Sequence, residues 1–159
     1  MPRRLRSLCW QLPPDPDGVF LVLSFGAEIP FVSHLGFTLH HMQGGESELH
    51  YTAQPDHLNS FGVTHGGATM TLMDVAMAIA ARSDVPADIG VVTIEMKTSF
   101  MQAARGPLVA RGKLLHRTTA LAFTEASIFD AEGRMCSHAT GTFKYMKRPA
   151  QSAASVPTD

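Results

Sequence analysis

The sequence predicts an α+β domain in which one antiparallel sheet wraps around a long central helix. Three observations carry this. Residues 66–82, GGATMTLMDVAMAIAAR, lack proline and are apolar nearly all round, the mark of a helix surrounded by protein. Four stretches with strand character follow, joined by short connections. Two more precede the helix and flank Gly44-Gly45, as in a tight hairpin. Hairpin, helix and then successive strands make one sheet packed on one helix.

Residues 1–18, MPRRLRSLCWQLPPDPDG, begin with the positive charge of a signal peptide. Their apolar stretch is broken by Gln11 and stopped by Pro13, Pro14 and Pro16, so we read an uncleaved and poorly ordered basic arm. Strands over 37–43 and 46–53 form the hairpin, and a long loop runs from Gln54 to Thr64. Thr64 is the expected N-cap of the helix, and SDVPAD its stop. Strands over 90–101, 107–116, 120–129 and 134–146 read as a meander, with DAEG at 130–133 turning the last pair. The small polar residues after Ala150 read as a loose tail. The expected boundaries are an arm over 1–24, one domain over 25–148 and a tail over 149–159.

A chain of 159 residues suits one domain with a core that needs neither disulfides nor metal. With 45% hydrophobic and 17% charged residues and a net charge of -1, the composition excludes a disordered chain and argues against nucleic acid as a partner. No apolar run approaches the ~20 residues that span a bilayer, so no membrane partner is expected. Cys9 and Cys136 form no CxxC pair, which fits a reducing cytoplasm. His34, His40, His41 and His50 lack the i, i+4 spacing of a helical zinc site, and no metal is expected. No GxSxG, GxGxxG or Walker loop is present, so neither an α/β serine hydrolase nor a nucleotide cofactor is indicated, and the expected cofactor set is empty. The nine methionines read as adaptable core filler.

One residue conflicts with the rest of the helix. Asp74 sits mid-helix with Met70, Thr71, Met77 and Ala78 one turn away, so no basic residue of the helix pairs with it. It is either a structural carboxylate or a pocket carboxylate raised in pKa by desolvation and able to act as base or nucleophile. His65-Gly66-Gly67 stands at the helix start, where backbone N–H groups lack intrahelical partners and the dipole is positive. Glycine leaves those donors open to a carbonyl oxygen, although a tight turn alone would also explain the pair. Gly66 and Asp74 are eight residues apart, roughly 12 Å along one helix, too far to act on one carbonyl. If both are catalytic they come from different subunits, as in an isologous dimer with antiparallel helices.

The pattern Asn59, Gly62, His65-Gly66-Gly67, Leu72 and Asp74 resembles the signature of hotdog-fold acyl-CoA thioesterases of the phenylacetate-pathway, PaaI-like branch. The likeness continues through IPFVSHLGF, GVVTIEMKTSFM and LAFTEASIFDAEGRMCSHATGTF, about residues 29–146 in all. It implies a hotdog fold and hydrolysis of an acyl-CoA thioester in a homodimer or tetramer. By that resemblance Gly66 N–H, helped by Gly67, polarises the carbonyl, and Asn59 supports the same oxygen or the water. Asp74 of the partner subunit activates water or attacks, Thr93 orients the water, and His65 anchors the loop.

Strict alternation places Thr93 on a polar face with Glu95 and Lys97, and only an interface location or a bulge would bring it to a pocket. The chain departs from the family pattern at Thr118-Thr119 and Gln102–Arg105, regions that would meet CoA. Arg105, Arg117 and Lys144 are candidate phosphate contacts because CoA needs cations. Two other readings remain open: a hotdog hydratase or dehydratase, which needs His57 or His65 facing the pocket, and a non-catalytic acyl-thioester binding protein.

Overall fold

The computed structural model describes residues 22–148. The expected arm, except its last three residues, and the whole expected tail lie outside the described residues. In chain order the elements are helix α1 (Pro30–Leu35), strands β1 (Thr38–Gln43) and β2 (Glu46–Thr52), helix α2 (Gly66–Arg82), and strands β3 (Ile89–Phe100), β4 (Pro107–Arg117), β5 (Leu121–Phe129) and β6 (Met135–Lys147). A single 3-10 turn, Pro55–His57, interrupts the loop ahead of α2. The six strands make one antiparallel sheet in the order β1-β2-β4-β5-β6-β3, and α2 packs against all six.

The alternation expected of half-buried strands sets the core. Leu49 and Tyr51 of β2, Leu108 and Ala110 of β4, Ala126 and Ile128 of β5, and Ala139 and Phe143 of β6 point inward onto Leu72, Met73, Ala76 and Met77 of α2. The hairpin turn at Gly44 and Gly45 has φ of 64° and 78°, the left-handed pair that a two-residue connection requires. Helix and sheet approach most closely at Gly112, where an added Cβ would strike the Ala76 carbonyl and lie 2.6 Å from Ser47 Oγ. The Ser47 hydroxyl donates to that same carbonyl at 2.7 Å, so a small residue and a hydroxyl together seat the helix.

Three expectations are corrected. β3 is not part of the meander: it leaves α2 to pair with β6 at the sheet edge, and the chain then crosses to β4 beside β2. Turn residues reveal where strands end but not which edge each one joins. The N-cap of α2 is His65 and not Thr64; His65 Nδ1 accepts from Gly67 N–H at 2.9 Å, while Thr64 Oγ1 is buried without a partner. Lastly, β3 does not alternate strictly. Its register shifts between Thr93 and Glu95: Thr93 lies opposite inward Phe143, whereas Glu95 lies opposite Thr142 and accepts its hydroxyl at 2.7 Å. The bulge adds one residue, so Thr93 shares the inner face with Met96 while Glu95 and Lys97 face outward.

Candidate functional site

Asp74 lies half-buried on the one long face of α2 that the sheet leaves uncovered. Its partner comes from another element: the Thr93 hydroxyl donates to Asp74 Oδ1 at 2.7 Å. Thr71, the only candidate within the helix, instead donates to the Gly67 carbonyl at 2.9 Å. Burial pushes the Asp74 carboxyl above its ordinary value, and the Thr93 bond draws it part of the way back. The carboxylate opens into a groove of about 710 Å³, walled by Ile29 just ahead of α1, Val32 of α1, and Val91 and Met96 of β3. A polar, desolvated acid in an apolar groove is suited to proton abstraction or nucleophilic attack.

At the start of α2 the donors are not equivalent. Gly67 N–H is held by His65 Nδ1, and the first backbone bond within the turn runs from Thr69 N–H to the His65 carbonyl. Neither Gly66 N–H nor Ala68 N–H has an acceptor among the described residues, and Gly66 N–H, at the first helical position, is an open donor. A Cβ on Gly66 would meet only the Phe100 ring, at 3.5 Å, an ordinary contact. Asn59 Oδ1 accepts from Phe61 N–H at 2.9 Å and Val63 N–H at 3.3 Å, so it shapes the loop that leads into the helix.

The three candidate cations are not brought together. Arg105 is exposed in the loop after β3, near the start of α2, where Thr64 N–H donates to the Ala104 carbonyl. Arg117 ends β4 and lies beside Tyr145, whose hydroxyl donates to the Ala81 carbonyl at the other end of α2. Lys144 is exposed on β6 between Val92 and Leu121. Two cations not singled out by the sequence reading, Arg82 and Arg148, line the groove with Asp74. Arg82 reads in sequence only as the last helical residue, and Arg148 only as the last residue of the expected domain.

His57 is buried, its Nδ1 set 3.0 Å from the Tyr51 hydroxyl and accepting from Gln54 N–H at 3.3 Å. Neither it nor His65 lines the groove. His34, Asp56 and His57 hold donor atoms within 4.8 Å of one another, a spacing that a metal could use. The Gln54 bond favours the tautomer with hydrogen on Nε2, which removes the lone pair a metal would need from the buried member.

Among the described residues no helix is long and apolar enough to cross a membrane. Within this architecture, residues 61–137 match the sequence profile of the thioesterase superfamily. The chain has the hotdog fold, and over that stretch it is similar to the thioesterase superfamily. A Halobacterium salinarum protein described as a "putative esterase" is 27% identical over 82% of this chain and 94% of its own length. A conserved protein of Pseudomonas aeruginosa superposes with a TM-score of 0.72 at 25% identity, covering 76% of this chain and 97% of its own. The PaaI protein of the phenylacetic acid degradation operon of E. coli superposes at 0.68 with 19% identity, covering 74% and 85%, a likeness of fold. That similarity supports thioester hydrolysis in general terms.

Proposed function

We propose that the protein hydrolyses acyl-CoA thioesters, with residues 25–148 as its single catalytic domain. The observation that carries this reading is the Thr93–Asp74 bond inside the apolar groove. Asp74, held by Thr93, activates water or attacks the thioester carbon, and Gly66 N–H of the partner subunit stabilises the oxyanion. Gly67 contributes through the cap that fixes the turn, since its own N–H is taken by His65. A thiol is a good leaving group, so one carboxylate with an oxyanion donor suffices and no separate acid is needed. No metal or cofactor enters the scheme.

Dimerisation is part of the proposal, because Gly66 and Asp74 of one helix are roughly 12 Å apart. Support comes from β3, an edge strand with Ile94 56% and Phe100 54% exposed. Such an edge invites pairing with a second chain. By family resemblance two dimers join as a tetramer. Arg105 is the candidate CoA contact nearest the start of α2, and a cytoplasmic location fits free, buried Cys136.

The hydratase alternative is disfavoured by His57 and His65, whose Nδ1 atoms serve the loop. Thiol release from a panel of aromatic and fatty acyl-CoAs, with Asp74→Asn as control, tests the function. Release by wild type and not by the variant supports it. Binding without release by either points to the non-catalytic alternative.

A further inference from the structure

The groove that holds Asp74 is closed at its far end by two guanidinium groups that the hydrolysis does not use. Arg82 ends α2 and Arg148 follows β6. Arg82 Nη2 donates to the Phe25 carbonyl at 3.3 Å, and Arg148 Nη1 to the Gly26 carbonyl at 2.9 Å. A Cβ built on Gly26 would lie 3.5 Å from Arg82 Nη2 and 4.0 Å from Arg148 Nη1, so the two cations converge on one point. Among the described residues no carboxylate comes within ion-pair distance of either.

Two like charges placed this way repel. Burial, and then the charge of Arg148, hold the Arg82 guanidinium below its ordinary value, and Arg82 Nε is buried without a partner. Their side chains are not spent on capping the helix: the Ala80 carbonyl accepts from Ser83 N–H and Oγ, and the Ala81 carbonyl from the Tyr145 hydroxyl. Each guanidinium has five N–H donors and uses few of them on the backbone, which leaves several for an anion. A carboxylate matches that geometry and charge.

Eight helical residues, roughly 12 Å, separate Asp74 from Arg82. The groove between them is walled by aliphatic side chains such as Val75, Ala78, Ile79 and Val91. Those walls suit a hydrocarbon chain better than the amide-bearing arm of CoA, whose polar groups would lack partners there. We propose that Arg82 and Arg148 form an anion subsite for a carboxylate at the distal end of the acyl group, making medium-chain ω-carboxyacyl thioesters the preferred substrate class. This rests on the thioesterase reading of Asp74.

Steady-state kinetics on the full chain would compare an ω-carboxyacyl-CoA with the unsubstituted acyl-CoA of equal length. The ratio of the two kcat/KM values is expected to favour the carboxylate substrate in wild type. It should fall roughly 10- to 100-fold in Arg82→Gln and in Arg148→Gln. Equal loss on both substrates would assign the pair to CoA phosphates and overturn the proposal. An unchanged ratio at unchanged rates would reduce the pair to clamps of Phe25 and Gly26, and also overturn it. Because both side chains hold that backbone, calorimetry on wild type supplies a second reading that does not depend on the variants folding. A free medium-chain dicarboxylate should bind more tightly than the matching monocarboxylate, and less so at high salt; equal binding sinks the subsite. This titration requires no turnover, so it separates failure of the subsite from failure of the thioesterase reading.

Discussion

The Thr93 hydroxyl donates a 2.7 Å hydrogen bond to Asp74 Oδ1, joining the edge strand of the sheet to the middle of the central helix. That bond stabilises the ionised carboxylate against the burial that opposes it. Removing the hydroxyl leaves only the raising influence. For Thr93→Val the acid limb of the kcat/KM profile, which marks ionisation of the base, is expected to move to higher pH. A limb that stays in place would show that Thr93 does not tune Asp74.

Asp74 also bears on stability, and the sign is opposite to that of most carboxylates. Its pKa is higher folded than unfolded, so between the two values the folded state binds more protons, and stability falls as pH rises through that window. Above it, wild type carries the full cost of a buried charge. Asp74→Asn should therefore melt at a higher temperature than wild type at neutral pH, with the advantage shrinking below the ordinary carboxylate range. Its thioesterase rate should drop roughly 100- to 10,000-fold. Thermal melts at several pH values check the first outcome.

On the outer face of the sheet, Glu48 behaves conventionally. Its hydrogen bond from His50, assisted by Arg111 at 3.0 Å and against the cost of burial, pushes its carboxyl down from 4.5 to about 2. The stability it contributes is complete above about 4.5 and is lost as pH falls toward about 2. Denaturant titrations should show Glu48→Gln less stable than wild type at neutral pH, and the difference should vanish near the lower value.

Gly112 has no room for a methyl group, because the Ala76 carbonyl and Ser47 Oγ occupy that space. Gly112→Ala is expected to cost about 1–3 kcal/mol by forcing helix and sheet apart. Equilibrium unfolding measures it directly.

Much of this molecule was legible in its sequence, for identifiable reasons. The helix Gly66–Arg82 matches the expected bounds because its composition and its flanking turns are local signals. The strand ends shift by only a residue or so for the same reason. Edge placement of β3 and the bulge beside Thr93 were not legible, since both depend on which strand lies next to it, and β6 is distant in sequence. That bulge decides the side of the sheet on which Thr93 falls. Asp74 was conspicuous as a carboxylate without a helical partner, whereas Arg82 and Arg148 became noticeable only when folding set them together at one groove end.

The central claim is that Asp74 of one subunit works with Gly66 N–H of another, and subunit mixing tests it most directly. Gly66→Pro deletes that N–H at the first helical position, where proline is tolerated, and the extended backbone of His65 suits the residue before a proline. Homodimers of Gly66→Pro and of Asp74→Asn are both expected to be nearly inactive. Co-expressed heterodimers should regain about half of wild-type activity, because one of their two shared sites is then intact. Heterodimers as inactive as their parents would place both groups within one subunit and contradict the account.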